Sequence, residues 1–322
     1  MKISLLDLGD RMEDPVTGYF PSQSERHRAI VDASAAADEA GFHSVHIGEH
    51  HGLEYIYSAP PVILAAIAER TKNLRLSTGV TLAANLDPVR VAEDYATVDV
   101  LSGGRCEVVV GRGHFFADTY ALFGQSVDDS HELFKEAING FSLQPQPVAG
   151  MPLWIGGGAS GTSVELAARL GLDLLLPSVF GDPEKLKPGV EVYREKFASY
   201  GHGREPRIGA AWHVNVGKTS QAARERWEPR YRAYFDLMTQ RGSRAKPTST
   251  PFYDQPLDFD HVTTHGPAMV GSPAEVADRL SRAAELLTAD THLLSLNMGG
   301  CPTEEFIDMV ELIGAEMIPQ LD

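Results

Sequence analysis

Short apolar runs alternate along the chain with longer stretches in which apolar residues recur every three or four positions. That alternation calls for a parallel sheet whose strands are joined by helical crossovers. "KISLLDL" precedes "SERHRAIVDASAAADEAGF", where Ser24 is placed to cap the first helical turn and Gly41 to end the helix. "SVHIGE" leads to "PPVILAAIAERT", "LRLSTGV" to "DPVRVAEDYATVDVLSGG", "CEVVVG" to "SHELFKEAI" and "PLWIGGG" to "SGTSVELAARLG". "DLLLPS", "RIGAAWHVNV" and "THLLSLNM" follow, each with a helical pattern behind it. Eight strand-then-helix units predict a closed α/β barrel, the (β/α)8 TIM barrel, as a single domain over residues 1–322. Eight right-handed crossovers close a sheet without leaving an edge.

The rhythm breaks between about Lys218 and Gly271. A charged, aromatic helical pattern, "QAARERWEPRYRAYFDLMTQRG", gives way to the Pro-rich "KPTSTPFYDQPLDFDHVTTHGP". "SPAEVADRLSRAAELL" then resumes the rhythm with Ser272 as N-cap and Pro273 in the first helical position. The stretch from 218 to 271 reads as an insertion between the seventh strand and its barrel helix, a candidate lid.

Composition narrows the function. Of 322 residues, 43% are hydrophobic, enough for a large core, while a net charge of −16 opposes a nucleic-acid surface. Small molecules are the expected partners. The two cysteines, Cys106 and Cys301, stand far apart without metal-ligand spacing, so neither a disulfide framework nor a metal site is expected. "MKISLLDLGD" lacks the form of a signal peptide, and no apolar run reaches membrane-spanning length. A cytoplasmic protein is expected.

In such barrels the chemistry sits where strands end and loops begin. Along "SVHIGEHHG", Val45 and Ile47 should face the helices and His50 the barrel mouth, in company with Glu49 and His51. A lone histidine at a strand end is more often a hydrogen-bonded core residue; three such groups together point to proton chemistry. In "VVVGRGHFFADTYALFG", Arg112 lies between Gly111 and Gly113, which permit close approach of a ligand. In "WIGGGASGTSVELAARLG", glycines and small hydroxyl residues open a helix, leaving backbone N–H groups free for an anion. The lysine of a P-loop and the GxGxxG spacing are both missing, which disfavours nucleoside triphosphates and Rossmann cofactors. A guanidinium and a helix N-terminus together would grip one phosphate from two sides. Phe115, Phe116 and Tyr120 are candidates to wall a ring site, whereas Trp154 and Trp212 read as core.

These segments, with "NLRLSTGV", "VGSPAEVADRL" and "LNMGG", resemble the bacterial-luciferase-like flavin-dependent oxidoreductases over most of the chain and in the same order. The resemblance implies the same barrel, reduced FMN as co-substrate, and monooxygenation of a small organic substrate with O2 through a flavin peroxide. It implies His50 as acid–base, with Glu49 holding the local geometry. Arg112 with Gly113, and the turn Ser160, Gly161, Thr162 and Ser163, match the phosphate site. Thr78, Gly79 and Val80 match the strand end beneath the flavin ring, where relatives often carry a non-proline cis peptide. Without an NAD(P) fingerprint, a separate flavin reductase is implied, and the family pattern implies a homodimer. The segment before "LQPQPVAGMPLWIGG" is shorter than relatives usually carry, which predicts a trimmed fourth crossover. The loop after the first strand, "GDRMEDPVTGYFPSQSE", points to no substrate. Hydride transfer with a deazaflavin and a non-catalytic partner subunit stay open as alternatives, as does an unrelated phosphate-binding barrel, for which Lys218 would be the one Schiff-base candidate.

Overall fold

The computed structural model describes the chain except for residues 53, 114–116, 138–143, 149, 158–160, 243–256 and 322. Among the described residues, ten strands pair in parallel within one sheet. They are β1 (Lys2–Asp7), β2 (Ser44–Ile47), β3 (Arg75–Thr78), β4 (Thr81–Leu82), β5 (Val108–Gly111), β6 (Leu153–Gly156), β7 (Asp173–Leu176), β8 (Ile208–Val216), β9 (Ala268–Gly271) and β10 (Thr291–Ser295). The path β3-β2-β1-β10-β8-β7-β6-β5-β4 begins and ends on segments consecutive in the chain. β3 and β4 are halves of one stave, interrupted at the Gly79–Val80 peptide, which is cis.

Backbone ladders nearly close the barrel. Leu76 pairs with the chain at Cys106, and Thr81 and Leu82 pair with Val110 and Gly111. Between them the Thr78 hydroxyl spans the gap, donating to the Val109 carbonyl (2.7 Å) and accepting the Val109 N–H (3.0 Å). The result is eight staves, as the rhythm predicts, with β9 added beside the upper half of β8.

The helices are α1 (Gln23–Glu39), α2 (Pro60–Arg70), α3 (Pro88–Ser102), α4 (Ala117–Leu122), α5 (Ser130–Ala137), α6 (Thr162–Leu170), α7 (Lys187–Tyr200), α8 (Ser220–Gly242), α9 (Phe259–Thr264), α10 (Pro273–Leu287) and α11 (Thr303–Leu312). Ser22, not Ser24, caps α1. Glu25 stands three residues after Ser22, so a reciprocal capping box forms there, with the Ser22 hydroxyl on the Glu25 N–H and the Glu25 carboxylate on the Ser22 N–H. Ser24 has His27 at that spacing and cannot make the box. Ser272 and Glu275 form the same box at α10, with Pro273 at the first position.

Alternation along each strand separates two cores. Val45 and Ile47 turn outward with Leu5, Leu76 and Ile155 to meet Ile30, Ala33, Ile63 and Ile67 of the helices. Leu6, Val109, Trp154, Leu175 and Leu293 fill the bore. Trp212 is fully buried on the outer side, donating to His292 (2.9 Å). At the amino ends of the strands the bore is plugged by charge. Arg207 reaches Asp173 at 2.7 Å and Glu107 at 3.6 Å, with Arg75 3.8 Å from Glu107.

The stretch from 218 to 271 supplies α8, α9 and β9. Trp227, Tyr231, Tyr234, Phe235 and Met238 of α8 pack with Tyr55, Phe259, Ala268 and Met298 in a third cluster at the carboxyl end of the barrel. Buried Arg230 anchors the helix, meeting Asp14 at 2.8 Å and Glu305 at 2.8 Å. Residues 246–256 of the Pro-rich part lie outside the described residues. Between β5 and β6 the chain forms α4 and α5. Among the described residues no helix is long and apolar enough to cross a membrane, and no group of three or more His, Cys, Asp or Glu side chains is arranged to hold a metal ion.

Candidate active site

Glycines at the strand ends shape the floor of the mouth. A Cβ on Gly111 would collide with Val80 Cγ2, and one on Gly156 would lie 2.6 Å from Val80 Cγ1. One on Gly79 would lie 2.6 Å from Leu6 Cδ1, and one on Gly48 2.7 Å from Leu8 Cδ2. Four neighbouring strand ends thus lack side chains where Leu6, Leu8 and Val80 fill the space, giving an apolar floor able to support a flat ring. Of the three residues expected beneath a flavin, Gly79 and Val80 lie at this floor. The Thr78 side chain is committed to the bridge to Val109 instead.

The chain leaving β2 is pinned along one side of the floor. Glu49 is almost fully buried; its N–H donates to the Val80 carbonyl (3.1 Å), its Oε2 accepts the Leu82 N–H (2.9 Å), and its Oε1 meets His51 Nε2 (2.8 Å). The N–H of His50 donates to the Tyr57 carbonyl (3.0 Å), and its half-buried ring stacks on Tyr55 with centroids 4.2 Å apart. Below, His46 Nδ1 donates to the Thr78 carbonyl (3.1 Å), and Nε2 lies 2.9 Å from the Ser44 hydroxyl. Burial holds the His46 pKa below its usual value, so this ring is a neutral structural link.

Arg112 follows β5, and α6 follows β6; the two strands are neighbours with Gly111 opposite Gly156. The Arg112 guanidinium donates to His131 Nε2 of α5, and the Tyr120 hydroxyl donates to the Arg112 carbonyl. Among the described residues no carboxylate pairs with Arg112. Burial holds the Arg112 pKa below its usual value. Gly161, at φ +81°, is the N-cap of α6 and supplies no side-chain cap to the first-turn amides. Thr162 is exposed and Ser163 half-buried, with Ser163 Cβ against the bare Gly157. Gly113, also at positive φ (+67°), packs on Leu82. Ser160, His114, Phe115 and Phe116 lie outside the described residues; Tyr120 is buried and serves the Arg112 backbone.

A buried charge cluster beside the floor escaped the sequence reading. Arg26 forms a two-pronged pair with Asp7 at the end of β1 (2.8 and 2.9 Å), and Asn297 donates to the same carboxylate (3.1 Å). Arg26 also holds the Asp10 carbonyl (2.8 Å), while the Asp10 carboxylate accepts the Gly299 N–H (2.9 Å). Burial lifts Asp10 to about 6 against the pull of Arg26. The available signal was Arg26 in line with Ala29, Ile30, Ala33 and Ala37 on the buried face of α1. Tyr55 and His131 were missed as well, because each meets its partner through a loop whose path periodicity does not encode.

A floor for a planar ring, a guanidinium and a helix start at its β5–β6 edge, and a pinned Glu-His-His exit agree with what the chain is similar to. The description "luciferase-like monooxygenase" belongs to the family model that matches residues 1–290. The alkanal monooxygenase alpha chain of Photorhabdus laumondii is 28% identical over 205 residues, 56% of each chain. The oxygenase component of the flavin-dependent trigonelline monooxygenase of Acinetobacter baylyi is 29% identical over 116 residues, 36% of this chain and 31% of that one. The crystal structure of the monooxygenase RslO1 from Streptomyces bottropensis superposes with a TM-score of 0.82 at 25% identity, covering 100% of both chains. The chain belongs to the luciferase-like monooxygenase family, flavin-dependent oxidoreductases built on this barrel.

Proposed function

We propose that the protein is the oxygenase of a two-component system, taking reduced FMN from a separate reductase and using it with O2 to oxidise a small organic substrate at the barrel mouth. The observation that carries this reading is the placement of Arg112 and the N-terminus of α6, whose N-cap Gly161 offers no side chain, on adjacent strand ends beside the glycine floor. The residues present fit the group. The floor offers a flat apolar surface, Arg112 has no carboxylate partner among the described residues, and the α6 amides and the Thr162 and Ser163 hydroxyls offer donors to a phosphate. Bound there, the reduced flavin would supply the electrons that activate oxygen.

The chain's own residues do the rest. Leu6, Leu8 and Val80 keep the floor apolar and exclude water from the reacting face. Glu49 fixes the β2 exit to Val80 and Leu82, and His50 exchanges a proton with the reacting groups. Arg112, Gly113 and residues 160–163 hold the phosphate. The single barrel domain spans 1–322, with 218–271 as its insertion, and two copies pair as a homodimer.

Anaerobic titration with reduced FMN and, separately, with a reduced deazaflavin cofactor, followed by mixing with oxygenated buffer, tests the reading. Tight binding of FMN and oxygen-dependent spectral change support it; binding of the deazaflavin alone, without reaction with oxygen, moves the protein to hydride transfer. Replacing His50 with Ala is expected to preserve flavin binding while cutting product formation by about two to four orders of magnitude.

A further inference from the structure

We infer that Tyr55 is the positioning residue of His50 and couples its imidazole to helix α8. The inference rests on the acid–base reading of His50 and adds to it the group that aims the ring. The two rings lie 15° from parallel at 4.2 Å, so rotation of the imidazole about its Cβ–Cγ bond is blocked on one face. The backbone on both sides is also tied down. His50 N–H donates to Tyr57, Ile56 N–H donates to Gly9 (2.9 Å), and Tyr55 itself bridges to Asp10.

The other end of Tyr55 reaches the helix. Its hydroxyl meets the Tyr234 hydroxyl at 2.9 Å and Met238 Sδ at 3.1 Å. Tyr234 and Met238 are one turn apart on α8, and Arg230 is one turn before them on the same stripe. Arg230 is the residue locked to Asp14 and Glu305. One face of α8 therefore carries an anchor to the loop after β1, an anchor to α11 and a grip on Tyr55. A proton-transferring imidazole must keep its nitrogens aimed at the reacting atoms, and a misplacement of about 1 Å costs on the order of a hundredfold in rate. Seating of α8 thus sets the orientation of His50 through one phenol ring.

Ring-current shifts in the flavin-free protein test this directly. With labelled histidine, and the His50 signals assigned by their loss in His50→Gln, the His50 ring protons are expected upfield because they lie over Tyr55. In Tyr55→Leu that displacement should vanish and kcat should fall roughly tenfold to a hundredfold while flavin affinity is unchanged. Tyr55→Phe keeps the stacked ring but loses the bond to α8, so its His50 signals should stay upfield yet broaden, as should those of Tyr234→Phe; kcat should recover most of the way. Unmoved His50 signals in Tyr55→Leu, or moved signals with undiminished kcat, would overturn the inference. So would equal losses of kcat and flavin affinity with unmoved signals. A His50→Gln variant with full turnover would remove the acid–base role, while the ring-current comparison would still decide the coupling.

Discussion

Glu49 Oε2 accepts the Leu82 N–H at 2.9 Å, which ties the strand end bearing His50 to the second half of the interrupted stave. The bond is buried, so removing its acceptor leaves a backbone donor stranded. Glu49→Ala is expected to destabilise the fold by about 1–3 kcal/mol, and Glu49→Gln, which retains an amide oxygen, by less than about 1 kcal/mol. Urea denaturation of both variants measures the difference; equal midpoints for Ala and Gln would mean the bond adds nothing.

Packing over the glycine floor makes a second prediction. Gly111 does not sit at positive φ, so alanine suits its backbone, but the new methyl meets Val80 Cγ2. Gly111→Ala should cost about 1–3 kcal/mol through overpacking. Adding Val80→Ala in the same chain should recover part of that loss, a coupling that a double-mutant cycle reads. Strict additivity would show that the two positions do not press on each other.

Asp10 makes stability depend on pH. Its carboxyl is lifted from 3.8 to about 6 in the fold, with burial as the main cause. The folded chain therefore holds this proton more tightly than the unfolded chain, and stability falls as pH rises through that window. The contribution is full below about pH 4, is lost by about pH 6 to 7, and amounts to up to about 3 kcal/mol. Asp10→Asn keeps an acceptor for the Gly299 N–H and cannot ionise. Its stability, followed by denaturant melts from pH 4 to 8, should lack the decline that the parent shows; parallel curves would contradict the assignment.

How much of this was legible follows from what periodicity encodes. Strand exits at His50, Arg112 and the glycines of β6 stood in the sequence because each ends an apolar run, and the eight staves could be counted the same way. The cap of α1 went to Ser22 because a glutamate three residues on decides which serine is used. Periodicity does not name the partner in a contact between distant elements. The Arg26–Asp7 pair joins α1 to β1, and the Tyr55–Tyr234 bond joins residues 179 positions apart. Within the 218–271 stretch, residues 268–271 pair with β8, and four residues beside a Pro-rich segment are too few to announce a strand.

In the proposed function reduced FMN is held by its phosphate at Arg112 and the start of α6. The most direct test compares reduced FMN with reduced riboflavin, which lacks only the phosphate, in anaerobic binding to the parent and to Arg112→Met. The parent is expected to prefer FMN and Arg112→Met to lose about tenfold to a hundredfold of that preference, with riboflavin affinity unchanged. Equal affinities for the two flavins in the parent, or an Arg112→Met variant that loses both equally, would contradict it.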